Sequence, residues 1–272
     1  MKFEHLLSRD RYTIESLLEI MAILRSENGC PWDREQDHHS IRNDFIEETY
    51  EAIDAIDNDD AVHLREELGD VLLQLVFHSR IEEEKGTFTF DDVVHDICAK
   101  LIYRHPHVFA DTSVDSSEAV LVNWDKLKKE EKKEERKTVT DELRCVPMAY
   151  PALMRAQKIG KRAGKVGFDF SNVTDAFEKI REEVDEVSEE LNKSELDKER
   201  LSEEIGDLLL AVTNVARFTG VNCEEALGKA CNKFIDRFEG VEKSILDDGK
   251  IIQNMSEPEL LALWNAQKHK KQ

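Results

Sequence analysis

Apolar residues at Leu64, Leu68, Val71, Leu72, Leu75 and Val76 recur at the three-and-four spacing of a single helix face, and Leu201, Ile205, Leu208, Leu209 and Val212 repeat the pattern later in the chain. Both stripes predict long amphipathic helices. Each is interrupted by a Gly-Asp pair, in "EELGDVLL" at 66–73 and in "EEIGDLLL" at 203–210. Glycine inside a helix costs about 1 kcal/mol relative to alanine, and an aspartate beside a leucine run must stay solvated or find a partner. Two such interruptions in two similar stripes call for a common cause.

The similarity extends beyond the stripes. "FIEETYEAIDAID" at 45–57 resembles "IREEVDEVSEEL" at 180–191, and Glu48 and Glu51 stand to Glu183 and Glu186 at one constant offset. Glu67 and Asp70 stand to Glu204 and Asp207 at a nearly identical one. "KLIYRH" at 100–105 then lies over "KFIDRF" at 233–238. Three words in the same order, twice, predict a duplicated domain. The boundaries read as an N-terminal repeat at 1–125, a charged helical linker at 126–147 and a C-terminal repeat at 148–272, with Pro147 and Pro151 punctuating the entry to the second copy.

Composition supports a helical class. The 272 residues hold only 11 Gly and 5 Pro against 36% charged residues, where an all-β chain would need more turn formers. A formal charge of −21 argues against a nucleic-acid surface, which is built from clustered Lys and Arg. A polyanionic ligand then has to arrive with metal cations or meet a local basic patch. Cys30, Cys98, Cys145, Cys223 and Cys231 form an odd set without a CxxC pair, which predicts reduced thiols and a cytoplasmic protein. The N-terminus has no sustained apolar segment, and the apolar runs near Leu72–Phe77 and Leu208–Val212 are too short to span a bilayer.

The acids carry the chemistry. Glu183 and Glu186 share a helix face with Glu182 flanking them, and Glu204 and Asp207 lie three apart on the next helix. If those helices pack antiparallel, four carboxylates converge and repel unless a cation joins them. An all-oxygen set favours Mg²⁺, with Mn²⁺ as a substitute. Any single acidic pair is more simply a solvated helix face, but the acids here flank the apolar stripe in both copies. Gly206 leaves room beside Asp207 either for a metal-bound water or phosphate, or for a tightly packed neighbouring helix.

Lys229, Lys233 and Arg237 form a basic row at successive i+4 steps, suited either to terminal phosphates or to structural salt bridges; Lys100 and Arg104 match the last two in the first copy. Asn214 follows Asp207 on nearly the same face, and its place falls on Phe77 in the first copy. It reads as a sugar or phosphate contact or as the partner of a buried polar group. Trp32 and Phe168 are candidates to stack on a nucleobase, with core packing as the alternative for each. His105 and His107 read more simply as helix-end structural residues than as phosphate contacts.

These words resemble the MazG family of nucleoside triphosphate pyrophosphohydrolases. EExxE followed by ExxD occurs as Glu47, Glu48, Glu51, Glu67 and Asp70, and again as Glu182, Glu183, Glu186, Glu204 and Asp207; "GCPWDREQDH" at 29–38, "YRHPHVF" at 103–109 and "KRAGKVGFDF" at 161–170 extend the likeness over almost the whole chain. The resemblance implies an all-α fold of tandem four-helix units, a homodimer, and Mg²⁺-dependent hydrolysis of an NTP to NMP and pyrophosphate; stacking contacts that every base can make predict, separately, several NTPs or dNTPs as substrates. It implies Glu183, Glu186, Glu204 and Asp207 as metal ligands, with Glu48, Glu51, Glu67 and Asp70 in the first copy. Glu182 would orient the water, and Lys233 and Arg237 would meet the phosphates. Lys165, in the "KVGFD" word, joins the substrate-binding candidates. The family tends to carry Thr or Ser in place of Asp37 and Trp in place of Phe170. Alternatives are a dUTP- or dCTP-selective relative, a phosphoribosyl-ATP pyrophosphatase, or a non-enzymatic helical interaction module. A di-iron bundle ranks last, because Glu35 and His38 give only one Glu-x-x-His spacing.

Overall fold

The computed structural model describes residues 3–110 and 138–270, together with Ser116, Val120, Asn123, Trp124 and Leu127. The charged run at 128–137 lies outside the described residues. The chain forms two compact units, the first reaching residue 131 and the second starting at residue 132. All regular structure among the described residues is helical, as the stripes predict.

The first unit is built from α1 (Ile14–Leu24), α2 (Arg42–Asp57), α3 (Ala61–Lys85) and α4 (Phe90–Arg104), with short helices at Glu4–Leu7, Pro31–Glu35 and Pro106–Phe109. The second contains α5 (Ala152–Gly164), α6 (Val173–Leu191), α7 (Lys198–Thr219), α8 (Cys223–Asp247) and α9 (Glu257–Lys270), plus a short helix at Val139–Arg144 and a 3-10 turn of helix at Ile252–Asn254. In each, two adjacent helices joined by a short loop form the main hairpin: α2 on α3, and α6 on α7.

The helix that carries the Gly-Asp pair is framed identically in both copies. Asp60 Oδ1 accepts from the backbone N–H of Val62 and His63, both at 3.0 Å, and caps α3. Asp197 caps α7 in the same way, accepting from Glu199 at 3.0 Å and Arg200 at 3.1 Å. Each cap supplies an acceptor for two of the four donors a helix start leaves unpaired. Gly86 (φ 73°) and Gly220 (φ 72°) then end the two helices in the left-handed conformation that only glycine adopts without strain.

In the first unit Met21, Ile41, Val76, Phe77 and Ile81 form the buried core, with Leu17, Leu18, Leu72 and Phe90 against it. The apolar stripes are nonetheless wider than the surface their own unit covers. Leu68 and Leu75 on α3, and Ile205, Leu209, Leu210 and Val212 on α7, remain exposed. No described helix is long and apolar enough to cross a membrane.

Candidate metal and phosphate site

Helix α6 supplies Glu183, and α7 supplies Glu204 and Asp207; one carboxylate oxygen from each lies within 4.8 Å of the others. Glu48 on α2 and Glu67 and Asp70 on α3 make the same triad in the first unit. The hairpin therefore brings the predicted acids together twice. Glu186 lies in contact with Glu204, and Glu51 acts by charge on Glu48, so each predicted fourth ligand stands beside its triad rather than within it. Glu182 is exposed at the edge.

Glu67, Glu183 and Glu204 are buried, although a charged carboxylate out of water needs compensation. Burial pushes the Glu204 carboxyl above the ordinary carboxylate value, with the Glu186 contact adding to it and Arg200 opposing it. Burial likewise raises Glu48, and the charges of Asp70, Glu51, Glu67 and Glu47 raise it further. One oxygen of Glu67 and one of Glu183, both buried, have no hydrogen-bond partner. Converging hard oxygens with unused lone pairs fit a divalent cation of the Mg²⁺ or Mn²⁺ type. Beside the second triad, a cleft of about 490 Å³ is lined by Glu182, Asp185, Glu186, Glu190, Arg200 and Glu204.

A Cβ built on Gly69 or on Gly206 meets nothing within 4 Å. Close helix packing therefore does not account for either glycine within its own chain, and the space beside Asp70 and Asp207 is open. Gly206→Ala is expected to raise stability to urea by about 0.5–1 kcal/mol, the helix-propensity difference, while lowering turnover by filling that space. Unchanged turnover in the stabilised variant would remove the functional reading of this glycine.

Sequence reasoning missed the cations on the acids. Lys179 lies 2.6 Å from Glu183 and 2.8 Å from Glu182, and Arg200 lies 2.7 Å from Glu204. Both stand four residues before the acid they neutralise, a spacing that could have been read from the helix alone.

The basic row is placed differently from its acids. Helix α8 packs mainly on α5 and α9, not on the α6–α7 hairpin. Lys229 and Lys233 are exposed, and the Arg237 guanidinium lies 5.8 Å from the centre of the Trp264 ring. Lys100 is exposed, and the buried Arg104 lies 5.4 Å from the Trp124 ring centre. His105, at the end of α4, bonds through Nδ1 to the Leu101 carbonyl at 2.6 Å, the structural use expected of it.

Asn214 belongs to a clamp. Arg217 donates to both oxygens of Asp169, at 2.7 and 2.5 Å, and to Asn214 Oδ1 at 3.2 Å. The clamp ties α7 to the "KVGFD" loop, where Lys165 caps α5 and Phe168 is 82% exposed. Phe168 is thus not a core residue of its own chain. Trp32 is 57% exposed and meets Phe77 edge-on at 6.5 Å. Asp169→Asn leaves a largely buried guanidinium short of its charged partner. A loss of about 1–2 kcal/mol in urea denaturation is expected, and no change would mean the clamp is only a surface pair. The His38 of the weak Glu-x-x-His spacing bonds to His78 at 2.7 Å and Glu82 at 2.5 Å.

A model of the MazG nucleotide pyrophosphohydrolase domain matches the chain twice, over residues 36–109 and 168–241, so each match encloses one acidic hairpin. The chain is 46% identical to a nucleoside triphosphate pyrophosphohydrolase of Escherichia coli K12, over 87% of this chain and 89% of that one. It is 41% identical to the nucleoside triphosphate pyrophosphohydrolase/pyrophosphatase MazG of Thermotoga maritima, over 93% and 95%. An uncharacterised Bacillus subtilis protein, YabN, is 42% identical over 98% of this chain but 53% of its own length.

Proposed function

The chain belongs to the MazG nucleotide pyrophosphohydrolase family, and from that premise we propose that it hydrolyses nucleoside triphosphates to nucleoside monophosphate and pyrophosphate, using Mg²⁺ or Mn²⁺. The observation that carries the reading is the partly buried acidic triad, with one buried and unpartnered carboxylate oxygen, standing inside each matched segment. In the second unit Glu183, Glu204 and Asp207, joined by the adjacent Glu186, would hold the cation. When bound, the cation would polarise the phosphoryl group, lower the pKa of a coordinated water and offset the negative charge of the pyrophosphate.

The remaining work falls to the side chains. Glu182, steadied by Lys179 at 2.8 Å, is placed at the edge of the cleft to orient the attacking water. The water oxygen adds at the α-phosphorus while the bond to the α–β bridging oxygen breaks, and positioning rather than a covalent nucleophile supplies the catalysis. Lys229 and Lys233 are exposed on α8, which packs away from the α6–α7 hairpin of its own unit, so with Arg237 they would reach the phosphates only from a second copy of the chain. An exposed Phe168 and a half-exposed Trp32 offer ring faces to any base, and contacts that every base can make discriminate poorly, so several NTPs and dNTPs are substrates. Hydrolysis in ¹⁸O-labelled water tests the bond broken: the label belongs in the monophosphate, and label in pyrophosphate would overturn α-attack.

The assembly proposed is a homodimer in the cytoplasm. Apolar side chains left exposed on α7 and α8, among them Leu209, Phe234, Ile235 and Phe238, would be covered by a second copy of the chain. All five cysteines are unbonded. Light scattering is expected to give twice the chain mass, and a monomer at micromolar concentration would contradict the assembly.

A further inference from the structure

The two acidic triads have the same geometry and opposite company. In the second unit Lys179 lies 2.6 Å from Glu183, and Arg200 lies 2.7 Å from Glu204 and 2.8 Å from Glu203. At the offsets that relate the two copies, Asp44 stands where Lys179 stands, and His63 stands where Arg200 stands. His63 meets Glu67 at 2.9 Å, but an imidazole carries no permanent charge. Among the described residues no lysine or arginine is paired with Glu48, Glu67 or Asp70. One oxygen of Glu67, whose side chain is 8% exposed, has no partner and belongs to a residue of the triad.

We propose that the first unit's triad is a resident divalent-cation site, filling at lower concentration than the second and without nucleotide. The inference rests on the divalent-cation reading above and adds an order of filling to it. A cation entering the second triad has to break a pair of salt bridges whose carboxylates are 4% exposed, and it then shares the site with two side chains of its own sign. A cation entering the first triad displaces no permanent charge, and the helix position that carries Lys179 in the second unit carries Asp44 in the first. Ion pairs of this partly exposed kind contribute modestly one by one, so two of them set the affinities apart by about tenfold or somewhat more. The first unit then holds its ion as an element of the fold, and the second is free to exchange its ion with each metal–nucleotide substrate.

Calorimetric titration of the chelator-treated, nucleotide-free full chain with Mn²⁺ tests this. Two classes of site about tenfold apart are expected, the tighter lost in Glu67→Gln and the weaker lost in Glu204→Gln. Lys179→Asp, at a side chain 36% exposed, is expected to tighten the weaker class several-fold without touching the other. Mn²⁺ at a concentration that fills only the tighter class should raise the unfolding temperature of the wild type and not of Glu67→Gln. Two classes of equal affinity, or loss of the tighter class in Glu204→Gln, would overturn the order of filling alone. No binding in either unit would overturn the cation reading with it.

Discussion

Glu204→Gln is expected to lower triphosphate hydrolysis by about 10³-fold, and Glu67→Gln to leave most of it. The size follows from removing one charged ligand from a cation asked to supply several kcal/mol of transition-state stabilisation, each 1.4 kcal/mol being tenfold in rate. The asymmetry follows from the surroundings of two similar triads. The second unit adds Lys179 and Arg200 to its acids, and in its copy of the helix Asn214 and Arg217 anchor the "KVGFD" loop. The first unit has Phe77 at the place of Asn214, packed in the core under Trp32. Glutamine keeps the shape of glutamate, so circular dichroism should find both variants folded. Equal residual activity in the two would contradict a division of labour between the copies.

Chelation of divalent cations is expected to abolish turnover and to destabilise the fold. A ligand bound at one hundred times its dissociation constant stabilises by about 2.7 kcal/mol, which corresponds to a rise of several degrees in melting temperature for a unit of this size. The metal-free chain should also respond to pH in a definite direction. The folded values of Glu48 and Glu204 are raised above the unfolded 4.5. Their contribution is therefore fully favourable below pH 4.5 and is lost as the pH rises through the raised folded values. Urea titrations from about pH 4.5 upward should show this loss without metal and a smaller one with Mg²⁺. The same pH dependence with and without metal would separate these acids from cation binding.

The helical class and the duplication were legible because period and spacing are local properties. Leu72 and Val76 went to the core as their stripe predicts, while Leu68 and Leu75 did not, because a stripe shows which face is apolar and not what covers it. The triads were legible because i, i+3 spacing and a short hairpin leave few ways to place Glu183, Glu204 and Asp207. The Asp169–Arg217 clamp was not, since nothing in "GFDF" or "VARF" links a loop to a helix many residues later. Arg237 was singled out without Trp264, whose contact depends on how α9 returns over α8. The two glycines of the opening pattern were half legible: their presence marks space, and the structure adds that the chain itself leaves that space open.

The most direct measurement is product analysis after incubation with each of the eight common NTPs and dNTPs, with and without Mg²⁺. Monophosphate and pyrophosphate from several of them, and only with metal, is the predicted result. Diphosphate with free phosphate as products, or turnover that survives complete removal of divalent cations, would contradict it.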